Sequence, residues 1–395
     1  MRKPRLLILN GSISEIPLIE QGKKLGYEVI TTGNDSRLIG HPFADKYIPA
    51  DYSDYNAILS LVNEYEIDRI VACANDFGVI TASYVAEKKH WPGHDTYENA
   101  CILHQKDRCK DLIQKLGIRT PISHAFDNRE MAAQYVRSAE YPLIVKATDL
   151  TGGKGIMRAD NLEEALIAID NAFSCSRKKS IVIEPFIVGT QQSIDTFVID
   201  GKVCASVSND VFCPINPYLI QSEILPAAGI EAIQDELHRY IELICYTLGL
   251  VDGMFTLQYI VRDGKPYIIE LMRRCLGNQF LTVAHAVSGF PFEEALVRAE
   301  TGLDLSCLKW EKPIAPVAGH HGIMAPKNGV VKGYTIDPIL EPFIFKRVNL
   351  LLQYDGIDNY MNQRIGYLYL KFPDHDVAID IAKRLNDLIY VYFNE

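Results

Sequence analysis

Short apolar runs alternate with helically spaced ones from the first residues of the chain. Arg5–Asn10 is an apolar run closed by Asn-Gly, Ile16–Leu25 repeats with helical period, and Glu28–Thr32 is apolar again. Tyr55–Tyr65 sets Ile58, Leu61, Val62 and Tyr65 on one helical face, and Arg69–Ala74 is a buried-strand run that stops at Asn75 and Asp76. Strand-length runs separated by helices predict βαβ units on a parallel sheet. Ligands of such sheets collect beyond the carboxyl ends of the strands, so Asn10–Ser12 and Asn75–Phe77 are candidate site edges; turn chemistry accounts for the same residues equally well.

Further along, a helix over Asn99–Leu116 carries Lys106, Asp107 and Arg108 and stops at Gly117. Two more helices have capping boxes, Asp127 answered by Glu130 and Asp160 by Glu163. Next come a strand at Ser180–Glu184, the segment Pro185–Gly189, alternating strands over Gln192–Val207, and a helix at Glu231–Leu248 that stops at Gly249. Gly253–Arg262 and Lys265–Leu271 read as a hairpin turning on Asp263-Gly264, since Asp-Gly suits a two-residue turn. From Pro313 onward short strands and glycine turns lead to a helix at His375–Leu388, and no internal repeat is visible.

A chain of 395 residues, 48% hydrophobic and 23% charged, has room for two or three packed domains. Its formal net charge of -10 disfavours nucleic acid as the main partner, which leaves local basic groups to serve small anions. The apolar run after Arg5 ends at Asn10-Gly11, too soon for a signal sequence, and no run is long enough to span a membrane, so a cytoplasmic protein is expected. The nine cysteines include no Cys-x-x-Cys and are odd in number, which favours scattered reduced thiols over a disulfide framework or zinc site.

The segment most open to chemistry is Tyr141–Met157. An apolar strand ends in Lys146, a turn follows with Thr151, Gly152, Gly153, Lys154 and Gly155, and Ile156-Met157 begins a second strand. Glycines let a backbone lie against a polyphosphate and flanking lysines neutralise it, although an ordinary hairpin uses the same residues. The spacing is neither a Walker motif nor a dinucleotide fingerprint. Around this turn stand, in order, Lys106 on a helix, Glu184 at a strand end, and Glu270, Arg273 and Arg274 at the end of the hairpin.

That ordered series resembles the ATP-grasp superfamily of carboxylate-amine ligases, whose members include biotin carboxylase, glycinamide ribonucleotide synthetase and L-amino acid ligases, and the resemblance covers nearly the whole chain. It implies an α/β (α+β) ATP-grasp fold: a Rossmann-like pre-grasp domain over 1–97, a grasp domain over 98–306 with a mobile lid lobe at about 125–190, and a small β-rich α+β domain over 307–395. It further implies that Lys106 and Lys146 contact ATP phosphates beneath a lid of Gly152, Gly153, Lys154 and Gly155. Glu184 would read the adenine amino group beside the backbone of Phe186 and Ile187, and Gln191 would take the ribose position. Taken by themselves, Phe186 and Ile187 could equally be core residues. Glu270 and Gln258 would hold Mg2+, with Gln258 standing where the family expects an acid and Met272 where it often has asparagine. A neutral amide oxygen adds no charge to such a site, which weakens it. Arg274 would be the catalytic residue, stabilising negative charge as a carboxylate becomes an acyl phosphate and an amine attacks it.

The implied cofactors are ATP and Mg2+, and the implied partners are a small carboxylate and an amine; a homodimer is compatible. A carboxylase or carbamoyl-phosphate-type enzyme and a degenerate ATP-binding module are the alternatives. His320 and His321 occupy successive strand positions, facing opposite ways, which argues against one shared metal ion and favours a structural role, or one of them lining the acceptor pocket. Tyr218, Gln221 and Glu223 are candidate substrate contacts.

Overall fold

The computed structural model describes residues 2–72, 74–150, 152–353 and 356–394. Four parallel strands, Lys46–Pro49, Glu28–Gly33, Arg5–Ile8 and Arg69–Val71, lie side by side in that order. Leu6, Leu7, Ile8, Ile70 and Val71 are buried because helices cover both faces, which is why these strands read as unbroken apolar runs.

A second sheet of four antiparallel strands is ordered His124–Phe126, Ile181–Pro185, Leu143–Ala147 and Ile156–Ala159. Helices Arg129–Val136 and Leu162–Cys175 cover it, packing Ala132, Val136, Ala165, Ile169 and Phe173 on its apolar face. The third sheet has eight strands: Lys265–Met272, Gly253–Arg262, Thr190–Ile199, Lys202–Phe212, Ser222–Leu225, Val317–Met324, Arg364–Phe372 and Ile344–Asn349. It is continuous across residue 306, through the pairing of Ser222–Leu225 with Val317–Met324. A two-stranded ribbon, Val331–Ile336 with Ile389–Phe393, adjoins its far end.

The expected helix over Asn99–Leu116 is two helices, Tyr97–His104 and Lys106–Lys115. Gln105 between them is extended (φ −104°, ψ 119°), and the Lys106 N–H donates to Thr148 O across the cleft at 3.3 Å. The break makes Lys106 the first residue of a helix and turns its side chain toward Leu150, just beyond the strand Leu143–Ala147 of the four-stranded antiparallel sheet. The caps of Arg129–Val136 and Leu162–Cys175 each lie one residue beyond the expected aspartate, and the expected capping boxes do not form. Asn128 and Asn161, each following an aspartate, supply the side-chain oxygen to the Met131 and Glu164 N–H groups. An Asp-Asn pair offers two rival caps, and spacing does not separate them. The hairpin turns as expected, with Asp263 and Gly264 both at positive φ (52° and 70°).

Candidate functional site

The four-stranded antiparallel sheet and the eight-stranded sheet face one another across a cleft of about 620 Å³, closed at one end by residues following the parallel sheet. Lys106, Lys146, Gly152, Gly153, Glu184, Phe186, Ile187, Gln191, Gln258, Glu270 and Arg274 all line it. Lys154 points to solvent and Gly155 lies behind the wall, where a Cβ would sit 3.1 Å from the Ala147 Cβ; neither lines the cleft. Thr151 lies outside the described residues.

Strand register accounts for the first charged pair. Lys146 is paired with Val182, so Glu184, two residues on, is its diagonal neighbour on the same face. Lys146 Nζ donates to Glu184 Oε2 at 2.9 Å, and Lys110 Nζ stands 3.5 Å from Glu184 Oε1. Burial works against the charge of Glu184, but the two lysines outweigh it and hold the carboxyl below its ordinary range. Lys110 is itself pushed below its ordinary range, by burial first and by repulsion from Lys146, despite the attraction of Glu184. It also donates to Thr120 Oγ1 (2.9 Å) and Ile268 O (3.2 Å), tying the helix start to the hairpin.

On the opposite wall Gln258 and Glu270 are cross-strand partners. Lys106 Nζ lies 3.3 Å from Glu270 Oε1 and donates to Leu150 O at 2.8 Å, so it reaches both walls. Burial lowers the pKa of Lys106, and Glu270 with Asp76 more than reverse this, leaving it raised. Met272 lines the same wall, and its sulfur accepts from Arg274. Glu270 and Gln258 present one carboxylate and one amide oxygen, hard donors that suit Mg2+ when phosphate oxygens complete its shell. Among the described residues there is no cluster of three His, Cys, Asp or Glu that could hold a metal by itself.

The two adjacent arginines part company. Arg273 is buried, with Nε 3.0 Å from Asp95 Oδ2 and Nη1 donating to Met254 O at 2.5 Å, a packing role. Arg274 lines the cleft, its Nε 2.5 Å from Asp76 Oδ1, and His104 Nδ1 meets the same oxygen at 3.1 Å. Burial raises the pKa of Asp76, but Arg274 and His104 overcome it and hold the carboxyl far below its usual range. Asp76 thus links the parallel sheet to the hairpin. Asn75 and Asp76 do edge the cleft, whereas Asn10–Ser12 do not line it. The latter instead wrap the buried Glu15, whose Oε2 accepts from Ser12 N (2.8 Å) and Oε1 from Ala74 N (3.0 Å).

Several details could not be read from spacing. The Phe186 N–H donates to Pro142 O at 2.9 Å, so that donor is already committed, and Arg158 stacks on the Phe186 ring at 4.5 Å. Tyr218 lines the cleft and packs against the 152–158 segment: its hydroxyl accepts from Arg158 N at 2.9 Å, and a Cβ on Gly153 would lie 2.7 Å from its carbonyl oxygen. Glu223 also lines the cleft, whereas Gln221 is turned away onto Gly322 O and Asn386. Lys110 and Arg364 belong to the charged surroundings without any motif marking them, and Asn278, the polar residue that follows Arg274 and Gly277, lines the cleft. Buried polar residues within otherwise apolar segments were the available signal, and for Lys110 the segment is amphipathic enough to hide it.

Residues 104–210 match the family model described as phosphoribosylglycinamide synthetase, ATP-grasp (A) domain. Among curated relatives, the carbamoyl phosphate synthase large chain of Clostridium perfringens (strain 13 / Type A) is 23% identical over 301 residues, covering 72% of this chain and 27% of the relative. That of Neisseria meningitidis serogroup B is 25% identical over 252 residues, covering 60% and 22%. The chain therefore spans about a quarter of the length of these relatives. Among solved structures, L-amino acid ligase from Bacillus licheniformis superposes with a TM-score of 0.80 at 19% identity, and phosphoribosylglycinamide synthetase from Anaerococcus prevotii with 0.77 at 20%, each over 100% of both chains. The biotin carboxylase domain dimer of Hydrogenobacter thermophilus 2-oxoglutarate carboxylase, in complex with MgADP, ADP and bicarbonate, gives 0.75 at 18% identity over 99% of this chain and 91% of that one. The fold is the ATP-grasp fold throughout. Within it, residues 104–210 are the stretch that resembles the ATP-grasp (A) domain model.

Proposed function

We propose that this chain is an ATP-dependent carboxylate-amine ligase that converts a small carboxylate into an acyl phosphate and passes the acyl group to an amine, releasing ADP and phosphate. The observation that carries the reading is the convergence of Lys106, Lys146, Glu184, Glu270 and Arg274, from separate elements, on one cleft between two sheets. Lys106 and Lys146 would take the phosphates, at the cost of loosening their pairs with Glu270 and Glu184. Glu184, Phe186, Ile187 and Gln191 would hold the nucleoside, and Gly152 and Gly153, with Lys154 and Gly155 behind them, would form the cover. Glu270 and Gln258 would hold Mg2+, which when bound shields the phosphate charge. Arg274, fixed by Asp76 and therefore needing little reorganisation, would stabilise the oxygens that gain charge at the reacting carbonyl.

The organisation into units at 1–97, 98–306 and 307–395, the lid lobe at about 125–190 and a homodimer belong to the same proposal. No described helix is long and apolar enough to cross a membrane. Bicarbonate as the activated acid is a second reading, favoured by the likeness to carbamoyl phosphate synthase chains and to the bicarbonate-bound biotin carboxylase domain. Incubation with ATP, Mg2+ and a panel of amino acids, with bicarbonate as a separate arm, tests both. Release of ADP and phosphate dependent on an added acid supports ligation. AMP with pyrophosphate would overturn the acyl-phosphate route, and ADP binding without any acid-dependent turnover would identify a binding module.

A further inference from the structure

The function above leaves Glu223 and the paired histidines unused. Along the eight-stranded sheet, Ser222–Leu225 lies three strands from Gly253–Arg262, so Glu223 sits about 14 Å from the Gln258 wall at the usual strand spacing. It lines the same cleft but falls outside the part that the phosphates would fill. Glu223 and His320 are cross-strand partners, as are Ser222 and His321, and the alternation of a strand sends the two pairs to opposite faces. Ser222 Oγ meets His321 Nδ1 at 2.7 Å, and neither residue lines the cleft. His320 Nε2 meets Glu223 Oε2 at 2.6 Å on the cleft side.

His320 is fully buried between the rings of Phe280 and Tyr367, at centroid distances of 6.5 Å and 6.3 Å, and among the described residues its Nδ1 has no hydrogen-bond partner. A buried polar atom left unpaired costs about 1–3 kcal/mol, more than a purely packing residue at this position would. The imidazole is spent on one task, holding one oxygen of Glu223. The other charged or titratable groups around Glu223 are Asp195 on Thr190–Ile199, Cys213 beyond Lys202–Phe212, and Arg364, which lines the same cleft. Arg364 lies across Gly322, where a Cβ would come within 2.8 Å of its Cδ, and donates to Ile220 O. No lysine or arginine forms an ion pair with Glu223 among the described residues.

We propose that Glu223, oriented by His320, is the general base that deprotonates the amine substrate, so that the acceptor is an amine that arrives as its ammonium form. This rests on the ligase reading. An ammonium nitrogen has no lone pair and cannot attack. One proton passes from R-NH3+ to Glu223 Oε1, giving R-NH2 and a neutral carboxylic acid. The amine lone pair then forms the C–N bond as the acyl C–O bond to phosphate breaks. The second nitrogen proton goes to the departing phosphate, which leaves as HPO4 2−, and Glu223 returns its proton to solvent. Glu223 touches substrate in this scheme and is a catalytic residue; His320 is a positioning residue.

Hydroxylamine separates the steps, because it is uncharged near neutral pH and attacks an acyl phosphate without a base. Each acid of the panel is assayed with ATP and Mg2+, once with hydroxylamine and once with the same panel as amines. Glu223→Gln is expected to lower the ratio of amine product to hydroxamate at least 100-fold at pH 7, and to regain amine ligation as the pH rises toward the amine's own pKa. Glu223→Asp, which keeps a carboxylate, should hold the ratio within about tenfold of the parent, and ADP binding by both variants checks that the cleft is formed. An unchanged ratio in Glu223→Gln, or an equal loss of both products in a variant that still binds ADP, would overturn the assignment. Absence of hydroxamate with every acid in the parent protein would instead overturn the ligase reading, and this inference with it.

Discussion

Replacing Lys110 by methionine tests whether the lysines around Glu184 act as one electrostatic unit. Methionine keeps the length and apolar stem but removes the charge that stands 3.5 Å from Glu184 Oε1 and the donors to Thr120 and Ile268. Breaking a buried pair by removing one partner costs about 3–5 kcal/mol, because the other charge stays desolvated. Glu184 retains Lys146 at 2.9 Å, so the loss should fall near the lower end, about 3 kcal/mol, lowering the Tm by about 5 °C or more. A second effect follows from the same geometry. With Lys110 gone, Lys146 is, among the described residues, the sole cation paired with Glu184 and is less free to turn to a phosphate. ADP affinity should drop about tenfold, equivalent to about 1.4 kcal/mol.

Calorimetric titration with ADP and thermal denaturation read the two effects separately. The double variant Lys110→Met/Glu184→Gln removes the stranded charge and should recover part of the stability lost in the single variant, a coupling that a double-mutant cycle measures. Wild-type ADP affinity together with additive stabilities in the cycle would refute the reasoning.

Lys146→Ala should weaken ATP binding by more than tenfold in a direct titration, because a desolvated phosphate contact is lost. Arg274→Ala should leave ADP binding within about threefold of the parent and abolish acid-dependent ADP release, the pattern of a group acting in the transition state. Gly153→Ala should destabilise the lid by about 1 kcal/mol or more, since φ is +74° and the new Cβ would meet Tyr218 O at 2.7 Å; protease susceptibility of the 150–160 segment is the readout. Asp195 is held by Thr256, Asn209 and Ser193, and burial pushes its pKa up to about 8. A raised folded pKa means that the native state holds a proton the unfolded chain has released, so Asp195 costs stability progressively as pH rises from about 4 to 8. Asp195→Asn should flatten the fall in denaturation midpoint across that window.

Legibility in the sequence followed the strength of local signals. The parallel strands were readable because Leu6–Ile8 and Ile70–Val71 are buried on both faces and must be apolar throughout. The hairpin was readable because only a few residue pairs tolerate two successive positive φ values, and Asp263-Gly264 is one. The break at Gln105 was not, since no proline or glycine marks it; the helix parts because Lys106 N–H finds Thr148 O, a partner 42 positions away in the chain. The caps slipped for a smaller reason, the choice between adjacent aspartate and asparagine in both Asp-Asn pairs.

Charged residues of the cleft divide along the same line. Lys146, Glu184 and Glu270 stand at strand ends, where chain order gives them away, and all three line the cleft. Lys110 and Asp76 are anchored by residues distant in sequence, Ile268 and Arg274, so no window along the chain contains the reason for their burial, although the strand end at Asn75 and Asp76 marks Asp76 as a candidate site edge. These two are also the groups that fix the others: Lys110 shares Glu184 with Lys146, and Asp76 sets the direction of Arg274. A motif therefore records which side chains can reach a ligand, while the restraint that makes them effective comes from partners that folding supplies. This explains how the cleft can retain its ordered series while Gln258 and Met272 stand on the wall proposed to hold Mg2+. The lysines and Arg274 owe their positions to Glu184, Glu270 and Asp76, none of which depends on a carboxylate at 258.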